Sequence, residues 1–465
     1  MSLWAWSLLG ALAWAGPTGW RHDGTGQVQG TTAPLTWTAA QARFAVPAPA
    51  AGNATPVWVD GLLCFLAEPT TVLCVDPTTG QTRWSATNDV VDALPAAEAA
   101  TLRKELAGVP ALKTQLDEAQ RAVSSLRREA RRGSEEAAAG LQGASEKLDA
   151  LKRRYDALRV YLTPPELELI GYTSATPVSD GTTLYVMVGN GVVSRFSAQG
   201  KRLWSTWLGP APVPMRGYDH GSVTSPQLVD GLLLVGHGHL QALSPTDGSV
   251  VWRHEERWTH YGTPAIVRVD GVAYAALPDG RVVRTRDGEV MVEGLGDLWY
   301  TGPVALGAQV WWVGSKGDAG RSDNARAWGW TLRSDGQGGL KADPRFSRVL
   351  ADSERIYATA LAYDGLLYVV TRRNHLMVLD AATGADVYDR QLGELLPGDG
   401  YQAPTAVQGA ILLGCETADF LTLRPGRSFV QLSRSDLPGA ARATPVFHGG
   451  MAFVRALDLL YGFGR

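Results

Sequence analysis

This chain repeats itself, and that constrains its fold more than any other feature. Thr55-Pro56-Val57, Asp60-Gly61, an apolar run, Asp76-Pro77-Thr78-Thr79-Gly80 and Trp84 return as Thr176-Pro177, Asp180-Gly181, Gly200 and Trp204, then as Ser225-Pro226, Asp230-Gly231, Asp247-Gly248 and Trp252. Weaker copies open at Thr263-Pro264, Gly302-Pro303, Ala360, Ala403-Pro404 and Thr444-Pro445, which makes eight. Successive Pro positions lie 49, 38 and 39 residues apart from Pro177 to Pro303, and 41 apart from Pro404 to Pro445. Self-similarity at that period means one supersecondary unit that buries its faces only against copies of itself.

Each unit has up to three turn signals separating four short runs rich in Val, Leu and Tyr. Asp-Gly pairs mark tight hairpins, because both central residues tolerate positive φ. Four antiparallel strands per unit follow. A lone sheet of this kind leaves both faces wet, whereas eight set radially pack face to face. The expected fold class is therefore all-β: an eight-bladed β-propeller of four-stranded antiparallel blades. A large ring four residues after the turn Gly, at Trp84, Trp204 and Trp252, would wedge against the next blade, which accounts for much of the excess of 16 Trp. The last unit ends without an outer strand. Gln41 to Val46 has that strand's pattern, with Phe44 in the Trp position, so the two ends of the chain are expected to close the ring together.

The repeat Thr-Pro-Val...Asp-Gly...Leu...Asp-x-x-Thr-Gly-x-x-x-Trp resembles the pyrroloquinoline-quinone (PQQ)-type propeller repeat, shared by quinoprotein alcohol dehydrogenases and the outer-membrane protein assembly factor BamB. The opening Trp20-Arg21-His22-Asp23-Gly24-Thr25-Gly26 is similar to the start of exported bacterial PQQ-like propellers. The resemblance implies the fold; one fold hosts both enzymes and scaffolds, so function must be argued from the site.

Two segments depart from the repeat. Leu3 to Ala15 is apolar and ends in Ala13-Trp14-Ala15, small residues spaced as a signal peptidase reads them, so 1–15 is expected to be a signal peptide for a periplasmic or secreted protein. A buried first strand is the alternative. Residues 95–165 switch to heptads, with Leu102, Leu106, Val109, Leu112, Leu116, Ala119, Val123 and Leu126, then Leu141, Leu148, Leu151, Tyr155 and Leu158 after Gly133-Ser134. That spacing predicts an antiparallel coiled-coil hairpin inserted between the first two blades and divides the chain into propeller (16–94 and 166–465) and insertion (95–165). Pro110 should break or restart its first arm. With 13 basic and 10 acidic residues the insertion is net positive, and Arg127, Arg128, Arg131 and Arg132 cluster at its tip. A solvated face paired with Glu135 and Glu136 is the preferred reading; a basic arm that touches a partner or an anionic surface is the sharper one.

Catalytic motifs are missing: there is no G-x-S-x-G elbow, no H-E-x-x-H helix and no phosphate loop. Quinoprotein dehydrogenases stack their cofactor on an adjacent-cysteine disulfide beside calcium, and Cys64, Cys74 and Cys415 include no adjacent pair. Cys64 and Cys74 face each other across a hairpin centred on Pro69. Two core thiols are expected, with a bridge left open as the alternative in an oxidising compartment. His237 and His239 alternate along a strand without a third ligand and read as structural. A net charge of -3 leaves no excess of positive charge to hold a polyanion, so nucleic acid is not an expected partner. No stretch nears the roughly 18 apolar residues of a membrane span.

The position three before each Pro-equivalent samples the rim of the central channel on one face. It reads Asn53, Ser174, Val223, Tyr261, Tyr300, Tyr357, Tyr401 and Arg442. Four consecutive Tyr, flanked by Arg442 and Asn53 with His220 and His260 nearby, form an aromatic and polar crescent suited to binding. Packing of each ring against neighbouring loops is the plainer alternative. The expectation is an exported, non-enzymatic scaffold without cofactor or metal that binds a protein in the cell envelope. The alternative is a quinone-using oxidoreductase or small-ligand binder in the channel.

Overall fold

The computed structural model describes residues 18–163, 171–210, 221–257, 261–315, 325–352 and 354–464. The proposed signal peptide, His220 and His260 lie outside them. Among the described residues the chain is mostly β, with eight sheets and three α-helices. Seven sheets have four antiparallel strands. In chain order the first strands of the eight sheets are Val57–Val59, Val178–Ser179, Gln227–Val229, Ala265–Val269, Val304–Leu306, Leu361–Tyr363, Thr405–Val407 and Val446–His448. The hairpins after them turn as the Asp-Gly pairs demand: Asp230 and Gly231 have φ of 47° and 74°. The same irregularity recurs where the third strand meets the fourth, with register shifts at Cys74/Val75, Ala242/Leu243, Val378/Leu379 and Thr422/Leu423. Such a bulge sharpens the twist of the outermost strand.

Every core cluster between sheets joins two consecutive ones. Val57, Cys64 and Val72 of the first pack with Leu184, Val186 and Phe196 of the second, and the series continues pairwise through the chain. The last cluster returns to the beginning, setting Phe453 and Leu460 against Leu63, Phe65 and Leu73. The eighth sheet has its outer strand from the other end of the chain: Phe44–Pro47 pairs antiparallel with Leu459–Gly464.

Trp side chains tie the interfaces. Trp84 Nε1 donates to Ala198 O (2.7 Å), Trp204 Nε1 to Pro245 O (2.9 Å) and Trp252 Nε1 to Thr285 O (2.9 Å), each reaching from one sheet to the next. Phe44 and Phe346, which have no donor, pack their rings across the corresponding interfaces against Gly80 and Gly384.

The insertion forms α1 (Ala96–Ala107), α2 (Val109–Arg131) and α3 (Glu135–Arg159). Pro110 falls in the first turn of α2, where its missing N–H costs nothing, and Gly108 separates α2 from α1. Leu102, Val109, Leu112 and Leu158 form a small separate core. The insertion meets the second sheet at its base, where Asp92 lies between Arg103 and Arg202, and Tyr161 packs on Trp207 at 5.2 Å.

Two expectations are corrected. Cys64 and Cys74 are not thiols but a disulfide: they are direct cross-strand partners, with Cα atoms 4.0 Å apart inside the cluster between the first and second sheets. His237 and His239 do not alternate along one strand. Gly238, at φ 65°, turns the chain between them, so they pair across a hairpin, one buried against Gly209 O and the other bonded to Glu256 O. Burial holds His237 down at about 4, so it is a neutral core side chain at neutral pH.

Candidate functional site

The Thr-Pro part of the repeat has a structural role at the first strands. Thr176 Oγ1 accepts from Thr55 N (3.3 Å), Ser225 Oγ from Thr176 N (3.0 Å) and Thr263 Oγ1 from Ser225 N (3.0 Å); Thr359 Oγ1 accepts from Gly302 N (3.2 Å). Each hydroxyl satisfies a backbone N–H of the preceding sheet, which leaves a belt of hydroxyls around the axis.

Just above this belt lies a recess of about 170 Å³. All eight sampled rim residues line it: Asn53, Ser174, Val223, Tyr261, Tyr300, Tyr357, Tyr401 and Arg442. The four tyrosines touch in sequence. Ring centroids lie 5.6 Å apart from Tyr261 to Tyr300, 4.8 Å edge-on from Tyr300 to Tyr357 and 5.3 Å stacked from Tyr357 to Tyr401. Tyr261 is buried at 9% exposure and the other three are half-buried.

Charged groups hold the crescent. Tyr401 Oη donates to Asp399 Oδ2 (3.2 Å), and burial together with that carboxylate pushes the phenol well above its ordinary range. Asp399 also accepts from Arg372 Nε (2.8 Å). Arg355 reaches Tyr357 Oη at 3.4 Å. Arg442 lies over the Tyr401 ring at 5.8 Å and pairs with Glu416 at 2.6 Å. The aromatic wall therefore has fixed positions on the side of the sixth to eighth sheets.

Sequence reasoning missed two lining residues of this recess. Trp20 and Arg21 line it, because the segment from Thr18 to Val28 runs along the innermost strands. Thr18 bridges to Ser179, and Gln27–Val28 pairs in parallel with Thr405–Val407, adding a fifth strand to that sheet. Gln27 Nε2 donates to Ala362 O (2.9 Å). The chain then leaves past Trp37, which is fully buried against Phe420 and Phe463 between the seventh and eighth sheets. The signal was present in the opening Trp20-Arg21 motif, which lies outside the repeat and so has no repeat-based position.

The arginines of the insertion, Arg127, Arg128, Arg131 and Arg132, lie at the end of α2 beside Gly133, far from the recess in sequence and absent from its lining. All four are exposed. Among the described residues no cluster of His, Cys, Asp or Glu suits a metal, and no helix is long and apolar enough to cross a membrane. The disulfide lies in the core between two sheets and does not line the recess.

A family model described as outer membrane protein assembly factor BamB matches residues 135–294. In three dimensions the chain is similar to BamB from Moraxella catarrhalis, at TM-score 0.53 and 10% identity, over 91% of this chain and 98% of that one. The chain is a PQQ-like β-propeller resembling BamB. The propeller is also similar to the computationally designed Ika8 protein, at TM-score 0.51 and 11% identity, over 90% and 98% of the two chains. At these identities the likeness is one of fold. No curated protein matches the sequence.

Proposed function

We propose that this propeller is an exported, non-enzymatic scaffold of eight blades that binds a protein partner in the cell envelope through its tyrosine-lined mouth. One observation carries the reading: Tyr261, Tyr300, Tyr357 and Tyr401 form a continuous aromatic wall, held in place by Arg355, Asp399 and the Arg442–Glu416 pair. Tyr offers large contact area and a hydroxyll at low conformational cost, which suits a recognition surface. BamB's description as an outer-membrane protein assembly factor supports an envelope setting and a protein partner. The apolar run Leu3 to Ala15 supports export.

In this reading residues 16–94 and 166–465 are the propeller, with the two ends of the chain sharing the last blade. Residues 95–165 are a coiled-coil arm, and exposed Arg127, Arg128, Arg131 and Arg132 give it a second, basic contact surface. The absence of a cofactor is part of the proposal. A recess of about 170 Å³ is smaller than the roughly 300–1,000 Å³ of sites that enclose a small molecule, and the Thr18–Val28 segment pairs with first strands of the second and seventh sheets beside it.

The test is crosslinking in the native envelope, followed by capture of the crosslinked partner with purified chain. Tyr300→Ala with Tyr357→Ala should weaken capture at least tenfold. Full retention, with contacts mapped to the opposite face, overturns the reading. Titration with PQQ and calcium should leave the quinone absorbance unshifted and yield no dye reduction with alcohols or sugars.

A further inference from the structure

We propose that the recess at the propeller mouth is a carboxylate-binding site anchored by the buried Arg21 guanidinium, and that the group it takes is the C-terminus of a peptide. The inference rests on the mouth being the partner surface and adds the chemistry that surface recognises.

Arg21 is only 6% exposed, yet Nε, Nη1 and Nη2 all lack a hydrogen-bond partner among the described residues. A guanidinium carries five donors, and a buried one without acceptors is among the costliest arrangements a fold can keep. Asp23 acts on it only through space, without a hydrogen bond or ion pair. Its Oδ1 accepts from Thr25 N (3.0 Å) and Thr25 Oγ1 (2.5 Å). The guanidinium is also held in position: Trp20 lies 5.5 Å from it, and a Cβ on Gly26 would meet Nη2 at 2.5 Å. Only a residue without a side chain permits that approach, at a position whose φ of 75° also favours Gly.

The surroundings select the ligand. Arg442 is the other cation lining the recess, and Glu416 already neutralises it. Among the described residues Arg21 is left as the one lining cation without a bonded acceptor, and a single guanidinium matches the single charge of a carboxylate better than the roughly -1.5 to -2 of a phosphate monoester. A guanidinium also presents the paired donors that a carboxylate accepts bidentately. The volume of about 170 Å³ suits a terminal group rather than a whole small molecule. A chain attached to that group would leave the recess past the Tyr crescent, where an extended peptide finds aromatic contact.

The experiment titrates the purified full chain with labelled trialanine as the free acid, with the same peptide as its C-terminal amide, and with acetate as competitor. The free acid is expected to bind at least tenfold tighter than the amide. Arg21→Gln should bring the two within twofold while melting at or above the wild-type temperature; Arg21→Met is the second variant, filling the same space without a charge. Equal binding of acid and amide to the wild type, no binding of either, or discrimination retained without Arg21 overturns the proposal. Acetate that displaces the peptide at matching concentration would overturn the peptide terminus as the source and assign the site to free small carboxylates. Acid and amide binding equally, while partner capture still depends on Tyr300 and Tyr357, overturns the carboxylate inference and leaves the partner face standing. Discrimination kept with no Tyr dependence does the reverse.

Discussion

The indole of Trp84 occupies the space above Gly200, so that a Cβ at Gly200 would stand 2.6 Å from the ring. The two residues belong to neighbouring sheets, and the same relation joins Trp204 to Gly248 and Trp252 to Gly288. It explains why the repeat keeps Gly and Trp four residues apart: the Gly accepts the ring of the preceding unit while the Trp reaches to the next. Gly200→Ala adds a clash to an unfavourable φ of 82° and should cost about 2 kcal/mol or more. Trp84→Ala should cost about 3 kcal/mol, by loss of the ring and of its bond to Ala198. Denaturant midpoints of the two variants check both, and an unchanged midpoint for Gly200→Ala would remove the docking role.

Removing the outer strand of the last sheet should open the ring. Deleting Gln41 to Val46 strips Leu459–Gly464 of its partner and takes Phe44 from Gly80. The exposed edge then invites aggregation. Light scattering and melting of the truncated chain are expected to show early aggregation; solubility and melting equal to the full chain would mean that this strand contributes little to closure.

Replacing residues 95–165 by a short Gly/Ser linker should leave the sheets folded, because the insertion has its own small core. The lost contacts are local: Asp92 loses Arg103 but keeps Arg202, and Trp207 loses Tyr161. A shift of a few degrees in melting temperature is expected, and a collapse of stability would show that the arm braces the propeller.

Acid should destabilise the protein in two stages. His237 titrates near 4 when folded against about 6.5 when unfolded. Between those values the unfolded chain binds the extra proton, so stability falls as pH drops from about 6.5 towards 4, by on the order of 3 kcal/mol in total. Turn carboxylates follow. Hydrogen bonds from Thr78 and Arg83 depress Asp76, and Arg427 and Thr383 depress Asp380, so their contribution persists above the unfolded carboxylate range and is lost as pH falls through the lower folded values. Unfolding free energies measured from pH 7 to 2 should show the first stage in full and the onset of the second, with His237→Gln flattening the first. A His237→Gln profile that still fell between pH 6.5 and 4 would assign that stage to other groups.

Local pattern made much of the architecture legible before any coordinates. The Asp-Gly pairs, the Thr-Pro steps and the Gly-to-Trp spacing each act within one unit or between neighbours, so they leave a periodic trace that can be counted. That same register brought six candidate mouth residues, Asn53, Tyr261, Tyr300, Tyr357, Tyr401 and Arg442, to one recess, because equivalent positions in a ring share a height along its axis. Whether Cys64 and Cys74 bridge was not legible, since facing positions on a hairpin suit two thiols as well as a disulfide until the backbone separation is known. The pairing of His237 with His239 was hidden because a single Gly can continue a strand or turn it.

What the sequence determined by itself is thus the repeated unit, its strands and turns, and the aromatic character of one rim. Tertiary structure alone decided what fills the axis. Trp20 and Arg21 belong to no repeat, and their place depends on a parallel pairing between Gln27–Val28 and Thr405–Val407, almost 380 residues away. No local periodicity encodes such a contact. It forms only once the first strands have gathered around an axis and left a free edge, and that edge sets an arginine without a hydrogen-bonded acceptor in the lining of the recess.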